Sequence, residues 1–311
     1  MKISSGIVGA TAGPRVHGID ARWLMAYAAA LGDVDPEYMD TARDGGIAGH
    51  PLFAVCYEWP LALDLRAATM PDEVAVRGVH ATHHLRIHRR VRPGDRLTTT
   101  ATVIAVESRA PGAYVTTRFE AVGADGLTVS TTDYGSIYRG VAVDGGDFPD
   151  REVGRGASRP LGERVRDAAT HVAPAVSTSP PDWSTRVPVA AGLAHVYTEC
   201  ARIWNPIHTN RAVALAARLP DIILHGTATL ALAVSAVLRH EGLGVAAPVM
   251  DIRCRFSGMV PMPGEIAVDG WRRTADPRGV AFRVRTPDGR AALRDGWLAL
   301  SETRRPVEHA R

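Results

Sequence analysis

Arg202-Ile203-Trp204-Asn205-Pro206-Ile207-His208 repeats, in altered form, the stretch Gly32-Asp33-Val34-Asp35-Pro36-Glu37-Tyr38 found 170 positions earlier. The same offset returns where Met262-Pro263-Gly264-Glu265 lines up with Arg92-Pro93-Gly94-Asp95. Two separate landmarks at one spacing point to a duplicated chain. Between them, Leu224-His225-Gly226 corresponds to Gly49-His50-Pro51 at an offset of 175, a five-residue difference cancelled before the second landmark.

Each half then reads alike. A polar turn carries the first landmark, and an apolar helical run follows, Leu52 to Leu65 in one half and Thr227 to Leu238 in the other. Small residues in the second run (Ala228, Ser235, Ala236) suit a helix wrapped closely by its surroundings. After the Pro-Gly-acid turn come β-rich stretches, 96–107, 113–122 and 127–139, matched by 265–274, 280–286 and 291–301. Gly123-Ala124-Asp125-Gly126 and Pro287-Asp288-Gly289 read as hairpin turns. A helix followed by an antiparallel meander predicts an α+β layer structure with the helix on one sheet face. The predicted organisation is an N-terminal domain over 1–141, a linker over 142–184 and a C-terminal domain over 185–311. The linker is rich in Gly, Pro, Asp, Arg and Ser, with a short helix expected near Leu161–Ala169.

Composition narrows the chemistry. Hydrophobic residues make up 46% of the 311 and charged residues 22%, ordinary for a globular protein. No run approaches the roughly 18–20 apolar residues that cross a bilayer, so no membrane partner is expected and the expected location is the cytoplasm. Lys2 is the only lysine. That excludes a Walker-type phosphate loop and makes Schiff-base catalysis a poor fit, since both need an internal lysine. Arginines are dispersed rather than gathered with aromatics, which speaks against nucleic-acid binding. Cys56, Cys200 and Cys254 are too scattered for a disulfide framework or structural zinc. On a regular strand His80, His84 and His88 would share one face with His83 on the other, and no acid or cysteine lies among them, so no metal is expected.

Asn205 and Asn210 are the only asparagines, and there is no glutamine. All side-chain amides thus lie within six residues of one another, around His208. Histidine transfers protons near neutral pH, and an amide donates and accepts hydrogen bonds without carrying charge. This marks His208 as a candidate proton-transfer residue with Asn205 orienting it. The plain alternative is a turn in which Asn caps a helix.

Tyr197, Asn205-Pro206-Ile207-His208, and a His225-Gly226 pair seventeen and eighteen residues beyond His208 resemble the signature of the MaoC-like (R)-specific enoyl-CoA hydratase/dehydratase family. Arg255-Phe256-Ser257 and Pro263-Gly264-Glu265 resemble its closing segment. The first half, through Gly32-Asp33-x-Asp35-Pro36 and Arg92-Pro93-Gly94-Asp95, is similar to the degenerate amino-terminal hot dog of double hot-dog fusions. The resemblance implies two helices, each wrapped by an antiparallel sheet, paired as a pseudo-dimer. It implies a lyase that adds water to, or removes it from, an α,β-unsaturated thioester on CoA or an acyl carrier protein, with no cofactor. His208 and Asn205 would serve catalysis, with the Gly226 N–H stabilising the thioester oxygen. Tyr197, Trp204, His225 and Thr227 would bind substrate. A homodimer or a carrier-protein contact would be compatible with such a fold.

The match breaks at one place. Ile203 stands where the family has its catalytic aspartate, and Arg202 where it has glycine. The first half does the reverse, keeping Asp33 but placing Tyr38 at the histidine position. Three readings stay open: His208 acting alone; another carboxylate such as Glu199 substituting; or a non-hydrating protein that binds an acyl or polyketide-like ligand, as an isomerase, cyclase or partner subunit.

Overall fold

A computed structural model describes residues 1–146, 180–242, 249–272 and 279–300. In chain order the first half contains β1 (Lys2–Ser4), β2 (Thr11–Gly18), α1 (Ala21–Ala30), α2 (Pro36–Met39), α3 (Ala54–Thr69), α4 (Asp72–Ala75), β3 (Gly78–Ile87), β4 (Arg96–Arg109), β5 (Gly112–Val122), β6 (Thr128–Arg139) and β7 (Ala142–Asp144). The second contains β8 (Trp183–Val189), α5 (Leu193–Ala201), α6 (Arg211–Ala216), α7 (Gly226–His240), β9 (Val249–Phe256), β10 (Gly264–Arg272), β11 (Gly279–Arg285) and β12 (Ala291–Leu300).

Ten strands form one sheet in the order β2-β4-β5-β6-β3-β9-β12-β11-β10-β8. Each half contributes five strands in the same internal order, and the halves join where β3 pairs antiparallel with β9, Leu85 opposite Ile252. This is the double hot dog. The sequence reading began each half with its helix, whereas a strand, β2 or β8, precedes that helix in each half and closes the ten-stranded sheet's outer edge beside β4 or β10. Those strands are short and carry proline and arginine, as sheet edges commonly do. The ends of the expected linker are also strand: Ala142–Asp144 pairs parallel with β1, and Trp183 lies in β8. The helix expected near Leu161–Ala169 lies outside the described residues.

Helix α7 is buried without interruption from Ala228 to Leu238. A helix apolar all round has no solvent face and must run through a core, and here the core formed with α3, α1, α5 and the inner sheet face is shared by both halves. At the junction α1 packs on α5. Tyr27 and Tyr197, themselves 170 residues apart, bring their hydroxyls to 3.3 Å. The Trp23 indole N–H donates to the Cys200 carbonyl at 3.1 Å.

The histidine strand departs from its expected pattern. A register shift between His80 and Thr82 adds one residue to β3, which reverses side-chain alternation at that point. His80 and His83 therefore lie together on the inner face, ring centroids 5.4 Å apart. His84 faces outward and bonds Asp251 at 2.8 Å, and His88 lies past the strand's end. No group of three or more potential metal ligands forms among the described residues.

Candidate active site

The loop that follows α5 is a copy of the loop that follows α1. Gly32 and Arg202 both adopt left-handed backbone, φ 73° and 58°. Asp33 N–H donates to the Ala28 carbonyl, and Ile203 N–H to that of Thr198. Tyr38 N–H donates to Asp35, and His208 N–H to Asn205. Left-handed backbone at a helix C-terminus ordinarily takes glycine. Arg202 holds it with its guanidinium over the Trp23 ring, 3.9 Å from the centroid. Asp33 and Ile203 thus occupy equivalent positions, as do Tyr38 and His208.

In the second half a 3-10 turn over Pro206–His208 carries His208 inward to 9% exposure. Its Nδ1 lies 2.8 Å from the Ile223 carbonyl. A carbonyl can only accept, so Nδ1 carries the proton and Nε2 holds a lone pair. Burial lowers its pKa to about 4, opposed by that hydrogen bond, so the ring is neutral at pH 7. Its ring stacks on His225 with centroids 3.8 Å apart. His225 meets Thr198 Oγ1 through Nε2 at 3.2 Å, and burial with neighbouring His208 lowers its pKa to about 2.

His225 precedes α7 and makes no side-chain cap bond to it. The first N–H groups of any α-helix lack intrahelical partners, and the helix dipole adds positive potential at that end. Gly226 begins the helix against Phe256: a Cβ placed there would sit 3.0 Å from two Phe256 ring carbons. Any larger residue here would press on the Phe256 ring and oblige it to give by a few tenths of an ångström.

The structure brings His208, His225 and Gly226 together. Tyr197 is fully buried and donates to the half-buried Thr227 Oγ1 at 3.1 Å, bracing the helix start from the core side. Asn205 and Trp204 lie outward, lining a cleft of about 370 Å³ with His195, Thr198, Glu199, Pro206 and Thr209. Neither His208 nor His225 lines it. Trp204 is 58% exposed, its indole N–H directed at Glu199 at 3.4 Å. Asn205 caps the turn with its backbone only, whereas Asn210 does cap a helix, accepting from Ala212 and Val213 N–H.

The first-half counterpart is filled. Tyr38 is buried beneath the Arg90 guanidinium. Asp33 accepts from Ser235 Oγ at 2.6 Å and from Arg239 at 3.1 Å, both on the other half's α7. His50 Nε2 lies 3.1 Å from the same Ser235 hydroxyl, and the cavity beside His50 measures about 20 Å³, close to the room one water needs. Ser235 stands nine residues along α7 from Gly226, about 14 Å at the helical rise. Asp33 is therefore remote from the α7 start that His208 adjoins. The sequence reading missed Thr198, the Ile223 carbonyl, and the Asp33–His50–Ser235 cluster. The correspondence of His50 with His225 was available to flag the last; nothing in a sequence marks a backbone carbonyl.

Comparison with known proteins agrees with this architecture. Residues 175–285 match the family model "MaoC like domain", and residues 7–132 match "FAS1-like, dehydratase domain region". A MaoC-like dehydratase from Phytophthora capsici superposes with TM-score 0.75 at 19% identity, over 96% of this chain and 98% of that one. A conserved hypothetical protein from Mycobacterium tuberculosis, described as having a double hotdog fold, superposes with TM-score 0.60 at 14% identity, over 94% of this chain and 95% of that one. The peroxisomal multifunctional enzyme type 2 of Drosophila melanogaster superposes with TM-score 0.70 at 21% identity, over 92% of this chain but 48% of that longer one.

Proposed function

We propose, from the premise that this double hot-dog chain carries a MaoC-like dehydratase domain in its second half, that it hydrates 2-enoyl thioesters, or dehydrates 3-hydroxyacyl thioesters, on CoA or a carrier protein. The reading is carried by His208: a neutral imidazole with its Nδ1 proton committed to Ile223, beside the start of α7. Nε2 takes a proton from water as its oxygen bonds to C3. The C2–C3 π electrons move toward the thioester, and helix-start N–H groups, Gly226 foremost, stabilise the enolate oxygen. The imidazolium then returns its proton to C2. Water addition changes no net oxidation state, so the reaction calls for no redox cofactor, and one histidine suffices for both transfers. Burial makes the imidazolium a strong acid, which favours the second transfer over the first.

A non-hydrating acyl-binding protein is the second reading, favoured by one observation. Ile203 fills the acid's position and is 4% exposed within the core. Loss of one of two acid/base groups typically costs about 10²–10⁴ in rate. Incubation with crotonyl-CoA and longer 2-enoyl-CoAs, following loss of the conjugated absorbance and appearance of 3-hydroxyacyl product, separates the two. Binding without product favours the second reading.

A further inference from the structure

The stacked histidines at the start of α7 are held at both ends. His208 is tied through Nδ1 to the Ile223 carbonyl at 2.8 Å, and its ring lies on His225 with an interplanar angle of 27°. His225 in turn meets the Thr198 hydroxyl through Nε2 at 3.2 Å. Its other nitrogen, Nδ1, is buried without a hydrogen-bond partner of good geometry, although the Ile203 backbone lies close enough to raise its basicity. Thr198 is therefore the side chain that anchors the second ring. Of the residues lining the cleft, it is also the one whose side chain bonds a ring of the pair.

The first half shows what packing alone requires at this position. Thr198 corresponds to Ala28 at the offset of 170. Both carbonyls accept the N–H of the residue five positions on, Ile203 or Asp33, and both residues are buried, at 3% and 0% exposure. Alanine fills the place in one half, so the hydroxyl in the other is a buried polar group that the backbone does not need. Such a group is disfavoured unless it is bonded, and its bond is to His225. The counterpart histidine, His50, also meets a hydroxyl through Nε2, but that hydroxyl is Ser235 on α7. Its neighbour Tyr38 lies 5.8 Å away, centroid to centroid, against 3.8 Å in the second half. Close stacking and the Thr198 anchor occur together, in the half that holds His208.

Resting on the thioester reading above, we propose that Thr198 is a positioning residue for hydration: through His225 it holds the His208 imidazole so that Nε2 meets the attacking water. A ring bonded at one atom can still swing about that bond. A stacked neighbour restrains the swing only if the neighbour is itself held, which is what the Thr198 hydroxyl does. Proton transfer is steeply sensitive to placement, and a displacement of about 1 Å costs on the order of 10²-fold in rate. A loosened ring, still bonded to Ile223, moves less than that and should lose less.

The test is steady-state hydration of crotonyl-CoA by Thr198→Val and Thr198→Ser, with Thr198→Ala, the residue of the first half, replacing valine should that variant not fold. Thr198→Val is expected to lower kcat by about tenfold and to leave KM within about twofold, because it disturbs the placement of a reacting group rather than substrate binding. Thr198→Ser keeps the hydroxyl and is expected to recover most of the lost kcat. In the His208→Asn background the valine change is expected to cost less than about twofold more, since a residue that acts through another has nothing left to position once that one is gone. Wild-type kcat in Thr198→Val overturns the proposal and leaves the thioester reading intact. So does a serine variant as slow as valine, a loss confined to KM, or the same loss with and without His208. If the wild-type protein hydrates no enoyl-CoA, the thioester reading fails and takes this proposal with it.

Discussion

The Ser235 hydroxyl lies 2.6 Å from the Asp33 carboxylate, joining the central helix of one half to the loop of the other. Asp33 is the acid that the duplicated loop retains, and it is spent on holding the halves together. Burial raises its pKa, and Ser235 and Arg239 act against that. The acid position that adjoins the histidine pair holds Ile203 instead. Duplication has thus separated two tasks, an ionic clasp in the first half and a histidine pair at a helix start in the second.

Breaking that clasp should weaken the fold. Asp33→Ala takes from Ser235 and Arg239 the carboxylate they donate to and should lower stability by about 2–4 kcal/mol. Hydration by the remaining folded protein should change less than threefold or so, because the acid is about 14 Å along α7 from Gly226. Urea unfolding with a parallel rate assay checks both halves of the statement. A large rate loss at unchanged stability would place Asp33 in the chemistry.

Ile203→Asp separates the inherited arrangement from the present one. A carboxylate at this 4%-exposed position is strongly desolvated, so its pKa should rise and stability fall by about 2–4 kcal/mol. Where it does ionise, it would supply a second group to hold the attacking water. Crotonyl-CoA hydration should therefore rise with pH in the variant relative to wild type. A variant less active than wild type across the pH range would show that another carboxylate already acts, and Glu199→Gln would then be the damaging change.

Acid should unfold the protein through its buried histidines. His50, His83, His208 and His225 have folded pKa values of about 3, 3, 4 and 2, against an ordinary 6.5, with burial as the largest cause in each. Below pH 6.5 the unfolded chain gains protons that the folded chain refuses, so stability falls as pH drops from 6.5 towards about 4. Glu58 opposes this: burial raises it from 4.5 to about 7, and its contribution is lost as pH rises through that window. His17 and His80 are lowered by burial in the same direction, and each group so shifted contributes at most about 1.4 kcal/mol per pH unit, one proton's worth. Urea midpoints at pH 7.5, 6.0 and 5.0 should fall in that order, and Glu58→Gln should steepen the fall.

The duplication and the fold were legible because they are written in backbone needs. Pro-Gly turns, a helix too apolar for any surface and hairpin glycines constrain local geometry wherever they occur. The edge strands β2 and β8 were not, since Thr11–Gly18 and Trp183–Val189 carry Pro, Gly and Arg in place of a clean apolar alternation. His80 was grouped with His84 although it lies on the inner face beside His83, because one bulged residue between His80 and Thr82 inverts the pattern, and no residue type in that stretch demands a bulge. Of the candidate site residues, His208 stood out by the amides clustered around it, and Gly226 through the family resemblance alone. Tyr197 and Trp204 did not reveal that one lies in the core and the other in an open cleft, because that depends on how α5 packs on α1. The partner that fixes the His208 tautomer is a main-chain carbonyl, which any residue could supply.

The most direct test of the account is hydration of crotonyl-CoA in deuterium oxide, read by mass spectrometry and proton resonance, for wild type and His208→Asn. Wild type should yield 3-hydroxybutyryl-CoA bearing one solvent deuterium at C2, and His208→Asn, folded to the same melting temperature within a few degrees, should be slower by about 10²–10⁴. Wild-type protein that binds crotonyl-CoA yet forms no hydroxyl product, or a His208→Asn variant that labels C2 at the wild-type rate, would contradict it.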